Sequence, residues 1–286
     1  MPDAAASADQ LVIERATPQD WTTVTAWAAA AGWNPGLRDA AAFFAQDPGG
    51  FFLGRVRGEP ATAVSVVNYG DDFAFLGFYL VRPELRGRGL GIATWNAGLA
   101  HAGGRTVGLD GVPDQQGNYR RSGFELAYHT ARFVGIPDLP PPDGTVRVMA
   151  AADAAAVHDY DSACLPANRP EFLRTWLGNP GYRTLVRIVD GNLAGFGTVR
   201  PARDSHRIGP LFADDADTAR QLLAALAAQA GGASVAVDAP LRNHSAVRLC
   251  EEAGLKPSFE TARMYTGPVR SHCQDKVFGV TTLELG

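Results

Sequence analysis

Between Tyr79 and Gly98 the chain reads YLVRPELRGRGLGIATWNAG. Within it, Arg86-Gly87-Arg88-Gly89-Leu90-Gly91 alternates glycine with larger residues directly ahead of a helical stretch. Glycine is costly in entropy and poor in helices, so this spacing marks a backbone that something must approach closely. The first N–H groups of a helix lack intrahelical partners and carry partial positive charge. Glycines let an anion reach those groups without a Cβ in the way. Arg82, Arg86 and Arg88 add positive charge at the same place. The chemistry that asks for this pattern is the binding of a phosphate or pyrophosphate.

Several motifs could supply it. A Walker loop needs Gly-Lys-Ser/Thr, which is absent. A dinucleotide fingerprint needs G-x-G-x-x-G/A directly after a strand; counted from Gly87 the sixth position is Ile92, and from Gly89 it is Thr94. Pro83-Glu84-Leu85 also separates strand from glycines, although Asp110 stands where a ribose-binding acid would. A glycine-rich turn with no ligand is the bland alternative. The order Val81-x-Pro83, Arg86, glycines and helix resembles the coenzyme A pyrophosphate loop of the GCN5-related N-acetyltransferase (GNAT) superfamily, whose pattern is Arg/Gln-x-x-Gly-x-Gly/Ala. Tyr119-Arg-Arg-Ser-Gly123-Phe124 resembles that family's short motif near the domain end.

The resemblance implies direct acyl transfer: a neutral amine attacks the thioester of acetyl-CoA, charge gathers on oxygen, and the thiolate leaves. It places the pyrophosphate on backbone N–H groups from Arg86 through Gly87, Arg88, Gly89, Leu90 and Gly91, with Ile92 and Asn118 beside the cofactor. It pairs the strand end Tyr79–Val81 with the pantetheine amides and puts an oxyanion donor near Leu80 or Val81. Tyr119 falls at the family's acid position; a buried tyrosine closing the domain is the other reading. For the base, Asp110 in GLDGV sits at a strand end and could accept the amine's proton or bind the ammonium form. A strand-end aspartate capping its turn is equally compatible, and a water chain can serve in this family. Glu84 and His129 are weaker choices. Where the family shows an N-x-x-A helix start, this stretch has Val112 and the loop PDQQGN.

These residues need elements to hold them. Asp20 to Ala31 is helical in pattern, with Trp21, Val24 and Trp27 at three-residue spacing, and Ala40 to Ala45 suggests a second short helix. Phe51–Arg57 and Thr62–Asn68 flank the turn RGEP and read as a hairpin; Phe73–Val81 is a third strand. A helix over Gly89–Ala102 stops at Gly103-Gly104, followed by a strand over Arg105–Val112, a short helix over Asn118–Ser122 and a closing strand over Tyr128–Val134. The fold class is mixed α/β.

Four prolines in IPDLPPPDG, Ile136 to Gly144, make a stiff connection near the middle of the chain. The halves on either side match. Gly123 and Arg132 of the first Thr-Ala-Arg recur as Gly254 and Arg263, each 131 residues on. DPGGFFLGRVRGEPA from Asp47 resembles NPGYRTLVRIVDGNLAG from Asn179, and IERATPQDW from Ile13 loosely resembles VRVMAADAA from Val146. The expected organisation is a GNAT domain at 11–136, a linker at 137–144 and a degenerate GNAT-like domain at 145–286, ending in GVTTLELG. At the loop position the second copy has TARQLLAA, with Asp214, Asp215 and Asp217 upstream and no glycines; Cys250 replaces Tyr119. Carboxylates suit a helix start but repel a pyrophosphate. The second copy does carry NHSAVRLCEEAGL, the family's N-x-x-A pattern. One coenzyme site, in the first half, is expected, with the second half shaping the acceptor cleft or covering the first.

The 286 residues carry a net charge of −4, which disfavours a bulk nucleic-acid binder. No apolar run approaches the roughly 18 residues of a membrane helix, and MPDAAASADQ lacks the basic and apolar regions of a signal peptide and reads as a frayed tail. Cys164, Cys250 and Cys273 form no CxxC, and the six histidines fall in no metal-binding spacing. A cytoplasmic enzyme acetylating a small-molecule, amino-acid-derived or peptide amine is the leading expectation; a non-catalytic acyl-CoA sensor or scaffold is the alternative.

Overall fold

The computed structural model describes residues 10–286, so nearly all of the opening segment read as a tail lies outside the described residues. The first half runs β1 (Leu11–Arg15), α1 (Pro18–Ala30), α2 (Asp39–Gln46), β2 (Phe51–Val56), β3 (Glu59–Tyr69), β4 (Phe73–Val81), α3 (Leu90–Ala102), β5 (Thr106–Gly111), α4 (Gln116–Arg121) and β6 (Glu125–Gly135). The second half repeats this order as β7 (Val146–Val148), α5 (Ala154–Cys164), α6 (Pro170–Leu177), β8 (Arg183–Val189), β9 (Asn192–Pro201), β10 (His206–Ala213), α7 (Ala216–Gln229), β11 (Val235–Pro240), α8 (His244–Glu252) and β12 (Lys256–Tyr265), with a short β13 (Val277–Gly279) after it.

Local chemistry sets these elements. Thr17 caps α1: its hydroxyl accepts from the Asp20 N–H at 3.2 Å while Asp20 accepts from the Thr17 N–H at 2.9 Å, and Pro18 opens the helix. Arg57 (φ 54°) and Gly58 (φ 81°) make the tight two-residue turn between β2 and β3, where both central residues must be left-handed. The predicted strand at Phe73–Val81 matches β4. The short β1, hydrogen-bonded along β2, has no counterpart in the sequence reading.

All thirteen strands form one sheet in the order β1-β2-β3-β4-β5-β12-β6-β11-β10-β9-β8-β7, with β13 against β10. The two copies exchange their last strands. β12, from the second half, lies between β5 and β6 of the first; β6 pairs with β12 on one side and β11 on the other, all antiparallel. The halves are therefore continuous in hydrogen bonding. Apolar clusters fill both faces: Trp21, Phe43, Phe51, Phe78, Phe172 and Trp176 share one cluster that draws on both halves.

Candidate active site

β4 and β5 run parallel from Phe73/Thr106 to Leu76/Leu109 and then part. The cause is a bulge. Ser65 of β3 faces Gly77, and Ala63 faces Leu80, so Val64 stands opposite both Phe78 and Tyr79. Phe78 takes φ 46°, a region unfavourable to bulky side chains. Its ring is held by Trp21 at 5.4 Å and Phe43 at 6.1 Å, and this packing stabilises the strained backbone. Beyond the bulge Arg82 donates to the Ala61 carbonyl of β3. Polar groups alternate sides along a strand, so the Val81 N–H faces the space that β5 has left.

That space is a cavity of about 530 Å³. Tyr79, Leu80 and Val81 line it, as do Arg86, Gly87, Gly89, Leu90, Gly91 and Ile92 at its mouth and Tyr119 at its side. Gly87 (φ 74°) and Gly89 (φ 77°) are left-handed, and Gly89 caps α3. No atom lies within 4 Å of a Cβ built on either, which leaves open room before the first amides of α3. Gly91 is different: a Cβ there would come within 2.6 Å of the Tyr79 hydroxyl and 2.8 Å of Val81. Arg86 folds back, its Nε donating to the Val81 carbonyl at 3.2 Å. Open, positively charged helix amides beside a strand edge fit a pyrophosphate followed by an amide-bearing chain. Arg88 and Asn118 are not among the lining residues; the Asn118 side chain bonds Gln115 and Arg121 instead.

Tyr119 is 9% exposed. Its ring stacks on Trp95 at 5.7 Å and rests on Gly111, where a Cβ would come within 2.1 Å of a ring carbon. Burial, with a smaller contribution from Tyr79, pushes its phenol up to about 12. It therefore holds its proton at neutral pH.

Asp110 does not offer the free carboxylate that a base requires. Its side chain is fully buried, and both oxygens accept from Arg263 of β12, at 2.9 and 2.6 Å. The repeat explains this. Arg132, the matching Thr-Ala-Arg arginine, binds Asp238 of β11 in the same two-pronged way, at 2.7 and 3.2 Å. Each repeat's arginine thus pairs with the other repeat's strand-end aspartate, and the two ion pairs fasten the exchanged strands. Of the weaker choices, Glu84 pairs with Arg82 and His129 with Glu260.

The second copy's equivalent cleft is filled. β10 and β11 pair from His206/Val235 to Ile208/Val237, and beyond that β13 lies against β10 at Leu211 and Phe212. The chain then continues, with Val280 donating to the Asp238 carbonyl at 2.9 Å. Asp215 caps α7, accepting from the Thr218 N–H at 2.7 Å, and Asp217 engages Arg187. No glycine-lined helix start is open there.

Comparison with known proteins agrees with this geometry. Residues 15–124 match the acetyltransferase (GNAT) family, and residues 157–279 match the acetyltransferase (GNAT) domain. The holothin acyltransferase of Pseudoalteromonas sp. (strain SANK 73390) is 36% identical over 274 residues, spanning 95% of this chain and 93% of that one. The chain belongs to the GNAT family. It is a tandem member and a GNAT-type N-acyltransferase, an enzyme of acyl transfer from acyl-CoA. Among solved structures, a putative acetyltransferase from Pyrococcus horikoshii superposes with a TM-score of 0.81, at 23% identity, over 96% of each chain. A tandem GNAT protein from the clavulanic acid biosynthesis pathway superposes with a TM-score of 0.60, at 18% identity, over 91% of this chain and 99% of its own. Both share the fold. Among the described residues no helix is long and apolar enough to cross a membrane.

Two groups in the cavity were not legible as site residues. Thr261 of β12 and Glu284, in the segment after β13, both line it, and both belong to the second half. Their distance in sequence from the glycine loop hides them, because only the strand exchange brings them there.

Proposed function

We propose that the protein transfers an acetyl group from acetyl-CoA to the amine of a small molecule, amino acid derivative or peptide, by direct attack with both substrates bound. The observation that carries this reading is the parting of β4 and β5 at the Phe78 bulge. It leaves a strand edge and a glycine-lined helix start on one cavity, with a protonated phenol facing in.

Bound acetyl-CoA supplies the thioester. The amides of the 86–91 loop and the start of α3 hold its pyrophosphate, and Arg86 contributes charge. The Tyr79–Val81 edge aligns the pantetheine arm by strand-like hydrogen bonds. The Val81 N–H faces the cleft and stabilises negative charge at the carbonyl oxygen. Tyr119, protonated at neutral pH as a phenol is, delivers a proton to the leaving sulfur. Asp110 acts through Arg263 as a positioning residue that holds β12 beside β5. The filled second cleft supports one acyl-CoA per chain.

Free thiol release from acetyl-CoA, followed with an amine panel, tests the reading. Amine-dependent release at a rate above hydrolysis is expected. Binding of acetyl-CoA with no release on any amine overturns it.

A further inference from the structure

The same cavity reaches a wall built by the second half. Glu284 stands there, 4% exposed, and one of its carboxylate oxygens, Oε2, is buried with no hydrogen-bond partner. Its other oxygen is 3.8 Å from the Arg207 guanidinium, an ion pair too long for a hydrogen bond. The Thr261 hydroxyl is likewise buried and unpartnered. An unsatisfied buried carboxylate is costly unless a ligand completes it. The Glu284 carbonyl rests against Gly77, where a Cβ would come within 2.0 Å, so the segment is fitted to the strand residue just before the bulge. Trp33 and Phe259 face the same space with apolar rings.

We infer that Glu284, from the second repeat, binds the acceptor amine and takes its proton, with Thr261 as a second polar contact and Trp33 and Phe259 flanking a flat apolar body. This rests on the acyltransfer reading above and adds the acceptor's side of it. The balance is as follows. The amine nitrogen's lone pair forms the C–N bond, its N–H proton passes to Glu284 Oε2, the C–S bond breaks with its electron pair to sulfur, and sulfur takes the Tyr119 proton. Solvent restores both side chains after products leave. No external oxidant or reductant enters.

The charges around Glu284 agree with this role. Arg207 of β10 and Arg132 of β6 face it as cations, and Asp39 of α2 and Asp238 of β11 as anions. Arg132 and Arg207 share the single carboxylate of Asp238, and Asp39 is paired with Arg200 of β9 at 3.0 Å, so one positive charge is left for an ionised Glu284 to balance, which keeps a carboxylate there to receive a proton. Burial raises the Glu284 carboxyl, against the pull of Arg207 and Arg132. A base so raised accepts a proton more readily at working pH.

The test uses the full chain with acetyl-CoA and a panel of aniline, 4-methoxyaniline and benzylamine, following thiol release. Glu284→Gln keeps the shape and removes the base; single-turnover rates should fall by roughly 10²–10⁴-fold, while acetyl-CoA affinity by calorimetry stays unchanged. The wild-type rate should rise with pH through one carboxylate titration, and that limb should vanish in the variant. Should Glu284→Gln not fold, Glu284→Asp keeps the charge and withdraws it by one methylene. It should lose about 10²-fold in kcat/KM for the amine, the scale expected of a 1 Å misplacement. Wild-type rates and an unchanged pH limb in a folded variant overturn the assignment of Glu284. Absence of amine-dependent release by the wild-type protein overturns the acyltransfer reading instead, and the two failures are thus separate.

Discussion

Replacing Gly111 with Ala should slow the enzyme by displacing the Tyr119 ring, with every side chain that meets the substrates still present. Gly111 ends β5, and its Cα faces the Tyr119 ring. An added Cβ would lie 2.1, 2.8 and 2.9 Å from Cε2, Cδ2 and Cζ of that ring. Ordinary carbon contacts lie near 3.5–4.0 Å, so the ring must retreat by about 1.4 Å. Trp95 stacks on the ring and itself packs edge-on against Phe124, so the retreat disturbs a packed set. Overpacking of this kind costs about 1–3 kcal/mol in stability. A misplacement near 1 Å costs about 10²-fold in rate. The 86–91 loop is untouched, so acetyl-CoA affinity should hold. Single-turnover kinetics, calorimetry and a thermal melt on the same preparation read all three quantities. Because both changes strike one hydroxyl, Gly111→Ala combined with Tyr119→Phe should be no slower than Tyr119→Phe alone. A folded Gly111→Ala protein with wild-type kcat would refute the role given to Tyr119.

Other expectations follow from the same contacts. Tyr119→Phe should lower the single-turnover rate by roughly 10²–10⁴-fold with acetyl-CoA affinity unchanged. With the phenol raised to about 12, the wild-type profile should show no basic limb from Tyr119 between pH 7 and pH 10, which a pH–rate series checks. Asp110→Ala leaves Arg263 buried without its partner and should cost about 3–5 kcal/mol in a denaturant melt. Asp110→Asn, where it folds, should keep the wild-type single-turnover rate. Asp238 is buried, yet Arg132 and Arg207 hold its carboxyl down to about 2. A folded-state pKa below the unfolded value of about 3.9 gives stability that is full above that pH and lost as pH falls toward about 2, which acid titration of the fold reads out.

How much of this the sequence shows depends on whether a feature is local. The glycine loop is legible because left-handed backbone at Gly87 and Gly89 demands glycine, and the demand is visible in one hexapeptide. Helix α1 is legible from the three-residue spacing of Trp21, Val24 and Trp27, although its start at Pro18 behind the Thr17 cap is two residues earlier than that spacing indicates. The repeated Thr-Ala-Arg is equally visible, but its meaning is not. Nothing near Arg263 says that its partner is Asp110, 153 residues earlier, rather than an acid of its own half. For that reason Asp110 reads as a candidate base in the sequence, and as half of a strand-fastening ion pair in the fold. The exchange of β6 and β12 is a choice of pairing partner, and two strands with the same alternation pair as well within a copy as between copies. Glu284 is hidden by the same distance, since its place beside Gly77 follows from the run of the segment after β13 along β10 and past Asp238. Asn118 and Arg88 show the reverse: near neighbours of the loop and of Tyr119 in sequence, they are not among the residues that line the cavity.

The most direct test of a single acyl-CoA site on the first half's glycine loop is a calorimetric titration of acetyl-CoA into wild-type protein and into Gly89→Glu. Gly89 sits at φ 77° in open space before the amides of α3, so the substitution puts both a strained backbone and a carboxylate where the pyrophosphate would rest. Saturation at one acetyl-CoA per chain in the wild type, with binding lost in a folded Gly89→Glu protein, is the expected result. Saturation at two per chain, or unchanged affinity in the variant, would contradict it.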